Sequence, residues 1–477
     1  MLSAFSGLSG PAGASAPSAL GAGVRRLATA ALVGGLAAAG VLTGAGAATA
    51  GEAPQHQGGA TATIGGLKTY GDAVIHEDGG EQRVSAGLFE MSVEGGGTLH
   101  TYCVDLDNPT QKDAKYQETP WSATSLGTNK DAGKIRWILQ NSYPQVNDLA
   151  ALADRAGAHG LTEQDAAAGT QVAIWRYSDG ADVDAVDPQA EKLADYLVKS
   201  ARSVAEPEAS LTLDPPAVSG RPGGLLGPVT VHTNARSVTV TPPADAAITG
   251  VRIVDKTGKP VTSASDGSRL FFDVPEKAAD GSAELTVQAS TTVPVGRAFT
   301  SDSRSQTQIL AGSSESTVSA PAAADWAAKG AIPALWAREN CARGSLDITG
   351  TNTGDKPFTF SLMETDYTIP EGTSRTVTIP LQEDQAYDFT ITGPNGFEQR
   401  FTGVLDCKPQ SAETGDAVQT LSEPSPASVG GTAGDTNLAA TGGSSVTPLI
   451  AGVAIGLVVI GGGVLVLLRR RETTTGR

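Results

Sequence analysis

Sulfur is scarce in this chain of 477 residues, which has three cysteines and three methionines. So few cysteines exclude a disulfide-rich scaffold, and in an exported chain an odd count leaves one thiol for some other covalent job. Histidine is nearly as rare, with five. None stands near Cys341 or Cys407, so a metal pair there lacks further ligands. Aromatic residues make up 5%, and 34 bases face 51 acids for a formal net charge of −17. An acidic, aromatic-poor surface argues against nucleic-acid binding and suits a soluble stalk or an amine-bearing partner.

Long hydrophobic runs are confined to the two ends. Residues 1–50 hold no acid, two bases (Arg25, Arg26), an apolar run from Leu27 to Leu42 and then Ala48-Thr-Ala50. That is the plan of a secretory signal peptide with a small-residue cleavage site. The arginine pair alone is a weak pointer to twin-arginine export, because its flanks add nothing. At the far end, Leu449–Leu468 runs twenty residues without a charge and stops at Arg469-Arg470-Arg471. This length spans a bilayer, and the basic stop belongs on the cytoplasmic side, so the body lies outside. Without the two arginines of the leader and everything from Gly442 on (four arginines, one glutamate), the displayed part carries about −22.

Composition divides what remains. Ser411–Asn437 is rich in Ser, Gly, Pro, Thr and acids with almost nothing to bury, which places a disordered spacer at 409–437. The first domain, expected over 60–205, is α+β: strands over Leu88–Val93 and Leu99–Leu106 joined through Gly95-Gly-Gly97, then four helices. The expected helices are Ala132–Gln140, Asp148–Ala156, Glu163–Tyr177 and Pro188–Ala201, the third opened by a capping-box pattern, Thr162-x-x-Asp165. The second, 208–319, has short alternating runs, among them Ile248–Val254, between Pro, Gly and Asp clusters, and the third, 335–408, repeats that style around a Pro394-Asn-Gly396 hairpin. Both are expected to be all-β immunoglobulin-like sandwiches. Cys341 and Cys407 bracket the third, where a disulfide closing so long a loop is worth about 4 kcal/mol.

Cys103 is the sulfur left over. It sits in Thr98-Leu-His-Thr-Tyr-Cys-Val-Asp-Leu106, and Gly169-Thr-Gln-Val-Ala-Ile-Trp175 follows on a helix that is apolar nearly all round, which turns Gln171 inward. A buried primary amide left unpaired costs a few kcal/mol, so a lone glutamine here reads first as a core residue bonded to backbone. Tyr102-Cys103-Val104-Asp105, Tyr116-x-Glu118-x-x-Trp121, Ile135–Leu139 before Tyr143-Pro144, and Thr170-Gln171-Val172-Ala173 with Ile174-Trp175 together resemble the thioester domains of Gram-positive surface adhesins. The resemblance covers 60–205. It implies that Cys103 and Gln171 form an internal thioester, that a lysine amine on a partner opens it to a covalent amide, and that Cys103 is left as a free thiol.

The C-terminus resembles a second family feature. Leu438-Ala439-Ala440-Thr441-Gly442, the apolar span and the short basic tail, together 438–477, are similar to the sorting signal of wall-anchored proteins, in the variant of high-GC actinobacteria. That resemblance implies cleavage by a sortase between Thr441 and Gly442 and linkage to peptidoglycan.

The chemistry needs an unprotonated amine, and a lysine near neutral pH is almost wholly charged. Candidate helpers are Asp105, on the same strand face as Cys103, His100, on the opposite face, and His159, before the capped helix. A cysteine protease is disfavoured because Cys103 lacks a helix N-terminus to activate its thiolate. Asp105-x-Asp107-Asn108 and Asp182-x-Asp184 lack the glycine and distal glutamate of a calcium loop and read as solvated turns. No metal or cofactor is expected. The serious rival is a noncovalent wall-anchored stalk with no thioester.

Overall fold

Capping chemistry sets three of the four expected helices. The computed structural model describes residues 51–52, 58–77, 79–303 and 305–408, all within one compact unit, Met1–Asp416. Helix α1 is Ala132–Asn141 and α2 Leu149–Ala156, which starts where Asp148 accepts from Ala151 N and ends at left-handed Gly157. Helix α3, Glu163–Ser178, opens with both bonds of the Thr162/Asp165 capping box, and α4, Pro188–Ser200, opens at Asp187 with proline in its first turn. The expected leader (1–50), spacer (409–437) and sorting signal with its apolar span (438–477) lie outside the described residues. Among the described residues no helix is long and apolar enough to cross a membrane.

The helices pack on a seven-stranded sheet in the order Gly80–Val93, Thr98–Cys103, Gln308–Ser313, Ala298–Thr300, Lys115–Thr119, Thr61–Glu77, Val183–Ala185. Thr61–Glu77 also pairs along Gly80–Val93, so the sheet closes on itself. This redraws the expected domain limits. Strands Ala298–Thr300 and Gln308–Ser313 fall inside the expected 208–319 domain, yet both belong to the first domain's sheet, Gln308 standing opposite Cys103. The chain between them and α4 is an excursion. The physical reason is the edge of Thr98–Cys103, whose unpaired backbone groups the returning strand satisfies.

The excursion, together with Glu315–Trp326 that follows Gln308–Ser313, forms two sheets. One runs Ser263–Ala264, Val238–Thr241, Gly281–Thr292, Glu315–Trp326, Ala217–Gly220, and the other Arg252–Val254, Arg269–Asp273, Leu225–Thr233, Leu211–Asp214. Their alternating residues, such as Val229, Val231, Leu285 and Val287, join one apolar core with the first domain. The strand expected at Ile248–Val254 begins only at Arg252, because Ala246–Thr249 is a helical turn closed by left-handed Gly250, and Ile248 is exposed. A buried ion pair stands where the excursion leaves and returns. Arg297 Nε donates to Glu118 Oε1 at 2.9 Å, and Glu118 also accepts from Ala60 N, Ser210 N and Ser210 Oγ.

The third domain has a separate core of Leu335, Ile348, Phe358, Phe360, Val377 and Phe401. It is all β, in small antiparallel pairings, with Gln385–Thr392 and Glu398–Leu405 meeting at the Pro394–Gly396 turn. Cys341 and Cys407 are joined by a disulfide, S–S 2.04 Å.

Candidate functional site

Two elements meet at Cys103, which closes the Thr98–Cys103 strand. Helix α3 lies across the sheet, buried from Ala166 to Trp175, because α1 and α4 sheath it on the sides away from the strands. Gly169 permits the closest of these approaches: a Cβ there would meet the carbonyl oxygen of Ala190, on α4, at 2.4 Å. Gln171 follows two residues later and is fully buried.

The Gln171 amide is paired with the backbone of Cys103 itself. Cys103 N donates to Gln171 Oε1 at 3.0 Å, and Gln171 Nε2 donates to Cys103 O at 2.9 Å. This double bond pattern satisfies a buried amide and holds its carbonyl beside the residue that carries the thiol. Cys103 is the one free cysteine, and its thiol is buried. Burial pushes that thiol up to about 12, against opposing hydrogen bonds from Gln308 and Thr110. Gln308 Nε2 donates to Cys103 Sγ at 3.4 Å, and Gln308 Oε1 accepts from Thr101 Oγ1 at 2.8 Å.

The other expected helpers are placed differently. Asp105 is 1% exposed, and its carboxylate accepts from Thr307 N at 3.0 Å and Ser125 Oγ at 3.1 Å. Burial raises its pKa. It braces the returning strand and is closed to an incoming amine, contrary to the amine-orienting role expected of it. Asn108 is buried too, so the first acidic cluster is no solvated turn. Asp184 lies 2.9 Å from Arg176 and 3.2 Å from His76. His100 is half-exposed and 3.9 Å from Glu90, and His159 donates its backbone N–H to Gln189.

Three residues without a sequence signal complete the site. Gln308 and Thr307 arrive from two hundred positions downstream, in a stretch for which no strand is expected. Asp179, just past α3, accepts from Leu106 N at 3.1 Å and Ser178 Oγ at 2.6 Å, which ties the end of α3 to the loop after Cys103. Burial lifts its pKa to about 7, with Asp105 and Asp107 adding to the rise.

Away from the thiol, a cavity of about 430 Å³ separates the first and third domains, with Asp302, Glu339, Tyr387 and Asp406 among its walls. Glu383, Asp384 and Asp406 bring carboxylate oxygens within 4.8 Å of one another, and Glu383 accepts from Cys407 N and Lys408 N.

A lone buried cysteine clamped to a helical glutamine agrees with a family comparison. Residues 100–203 match the family model of the thioester domain. The match ends before the strand that carries Gln308. Residues 320–404 match the model of the C-terminal domain of bacterial phospholipase C. No curated protein matches the chain. Among solved structures, the Bacillus anthracis TIE protein is similar at 16% identity and TM-score 0.27, over 73% of this chain and 64% of that one. The chain thus spans less than two thirds of that relative. The thioester domain of the Enterococcus faecium TIE86 protein is similar at 16% identity and TM-score 0.26, over 56% of this chain and 96% of that one. The thioester domain of the Staphylococcus aureus TIE protein follows at 13% identity and TM-score 0.17, over 56% and 98%.

Proposed function

We propose that this chain is a surface adhesin that binds covalently, through a thioester between Cys103 and Gln171. The observation that carries the reading is the double hydrogen bond between the Gln171 amide and the Cys103 backbone, at the sole free thiol among the described residues. In the first step Sγ attacks the side-chain carbonyl of Gln171, the carbon–nitrogen bond breaks, and the thiol proton leaves with the amide nitrogen as ammonia. The Cys103 N–H stays on Oε1, where negative charge develops. A thiol held up to about 12 does not ionise beforehand, so proton transfer accompanies attack.

In the second step a partner's amine attacks the thioester, an amide forms on Gln171, and Cys103 recovers its thiol. A lysine must shed a proton to react. Each thioester is consumed once, so the chain acts as a single-turnover reagent rather than an enzyme. The partner is an amine-bearing surface or matrix protein. The two β regions serve as immunoglobulin-like stalk domains, and Leu438–Gly442 is the site where a sortase links the chain to peptidoglycan at the cell surface.

The test is the intact mass of the 51–441 protein, which contains every described residue, beside Cys103→Ala and Gln171→Ala. Wild type is expected one ammonia lighter than its sequence and to gain one methylamine on treatment, with both variants inert. A full-mass wild type with an alkylatable Cys103 leaves the noncovalent stalk as the function.

A further inference from the structure

The two residues after α1 touch the chain neighbours of both reactive residues. Ser142 is fully buried, and its Oγ lies 2.6 Å from Thr170 Oγ1. Thr170 donates its own proton to Ala166 O at 2.6 Å, so Ser142 is the donor between the two hydroxyls. The next carbonyl, Tyr143 O, accepts from Tyr102 OH at 2.9 Å. Thr170 precedes Gln171 and Tyr102 precedes Cys103. Successive side chains point apart on a strand and diverge by about 100° on a helix, so each handle leaves its reactive neighbour free to face the other.

We propose that Ser142 is a positioning residue for thioester formation, its hydroxyl setting the rotation of α3 that lays the Gln171 amide on Cys103. The inference rests on the thioester reading. Of the two contacts made by this segment, the one toward the strand half uses the backbone carbonyl of Tyr143, whereas the one toward the helix half uses the Ser142 side chain and is removed by substituting it. Losing it strands no donor, since Thr170 keeps its bond to Ala166, so folding loses a single neutral hydrogen bond. The reaction loses more, because a shift of about 1 Å between reacting atoms costs about a hundredfold in rate.

The experiment uses the 51–441 protein. Ammonium salt opens the thioester and regenerates the Gln171 amide, and re-formation is then followed by intact mass after the salt is removed. Ser142→Ala is expected to re-form the bond about ten- to a hundredfold more slowly than wild type while its Tm moves by only a few degrees, and Ser142→Thr to restore the rate. Thr170→Val, which removes this contact together with the bond from Thr170 to Ala166, is expected to be at least as slow as Ser142→Ala, with the double variant no slower than Thr170→Val. A wild-type rate in Ser142→Ala overturns the proposal, as does a double variant whose slowing is the product of the singles. If Ser142→Ala does not fold, Ser142→Cys, which keeps the side-chain shape and weakens the donor, decides in its place: a rate equal to wild type overturns the proposal, and a slow rate in a folded protein upholds it. A wild type that never shows the missing ammonia sinks the thioester reading itself, a different outcome from indifferent variants.

Discussion

At the residue scale, the hydrogen bond from Gln308 to Cys103 Sγ stabilises the sulfur whenever it carries charge, opposing the burial that keeps the thiol protonated. Gln308→Leu keeps the volume and removes the donor. It is expected to slow thioester formation about tenfold, the order of one hydrogen bond to a charged group at about 1.5 kcal/mol, measured as mass loss against time. Cys103 was legible through cysteine parity, whereas Gln171, which alone reads as a core residue, stood out only through the unpaired cysteine and the resemblance carried by Thr170-Gln171-Val172-Ala173. Gln308 left none, since a glutamine opening a short apolar run looks the same whether it faces a thiol or water. Asp105 was legible as a neighbour of Cys103 but not in its role, because alternation along a strand says which face a carboxylate takes and nothing of which amide meets it there.

Among elements, helices were the most legible, since caps are local: Asp148, Thr162, Gly157 and Asp187 start or stop their helices by contacts within a few residues. Sheet membership was not, because pairing between Thr98–Cys103 and Gln308–Ser313 spans about two hundred positions. The domain limit at 205/208 failed for that reason. A fragment ending at 205 lacks Ala298–Thr300 and Gln308–Ser313, leaves one edge of the Cys103 strand unpaired and deprives Glu118 of Arg297. It is expected to aggregate or to purify without a missing ammonia, while the 58–326 fragment folds and carries it, read by size-exclusion chromatography and intact mass. Arg297→Ala strands the buried Glu118 carboxylate and is expected to cost about 3–5 kcal/mol in chemical denaturation.

For the whole molecule, uncompensated acids set the response to pH. Burial holds Asp179, Asp325 and Glu339 at about 7 and Asp406 at about 8, each above the ordinary carboxylate value. The folded state therefore keeps protons that the unfolded chain has released between about pH 4 and pH 8, and stability falls as pH rises through that window. Calorimetry is expected to show a Tm a few degrees higher at pH 5 than at pH 8; a Tm that climbs over this range contradicts the assignment.

The disulfide adds a mechanical consequence. Cys341 and Cys407 stand 66 positions apart, at the two edges of the third domain. Tension applied between the first domain and Lys408 crosses from one sulfur to the other and bypasses the loop between them. However hard the tether is drawn, roughly 220 Å of slack, at about 3.4 Å per residue, stays locked until that one bond is reduced.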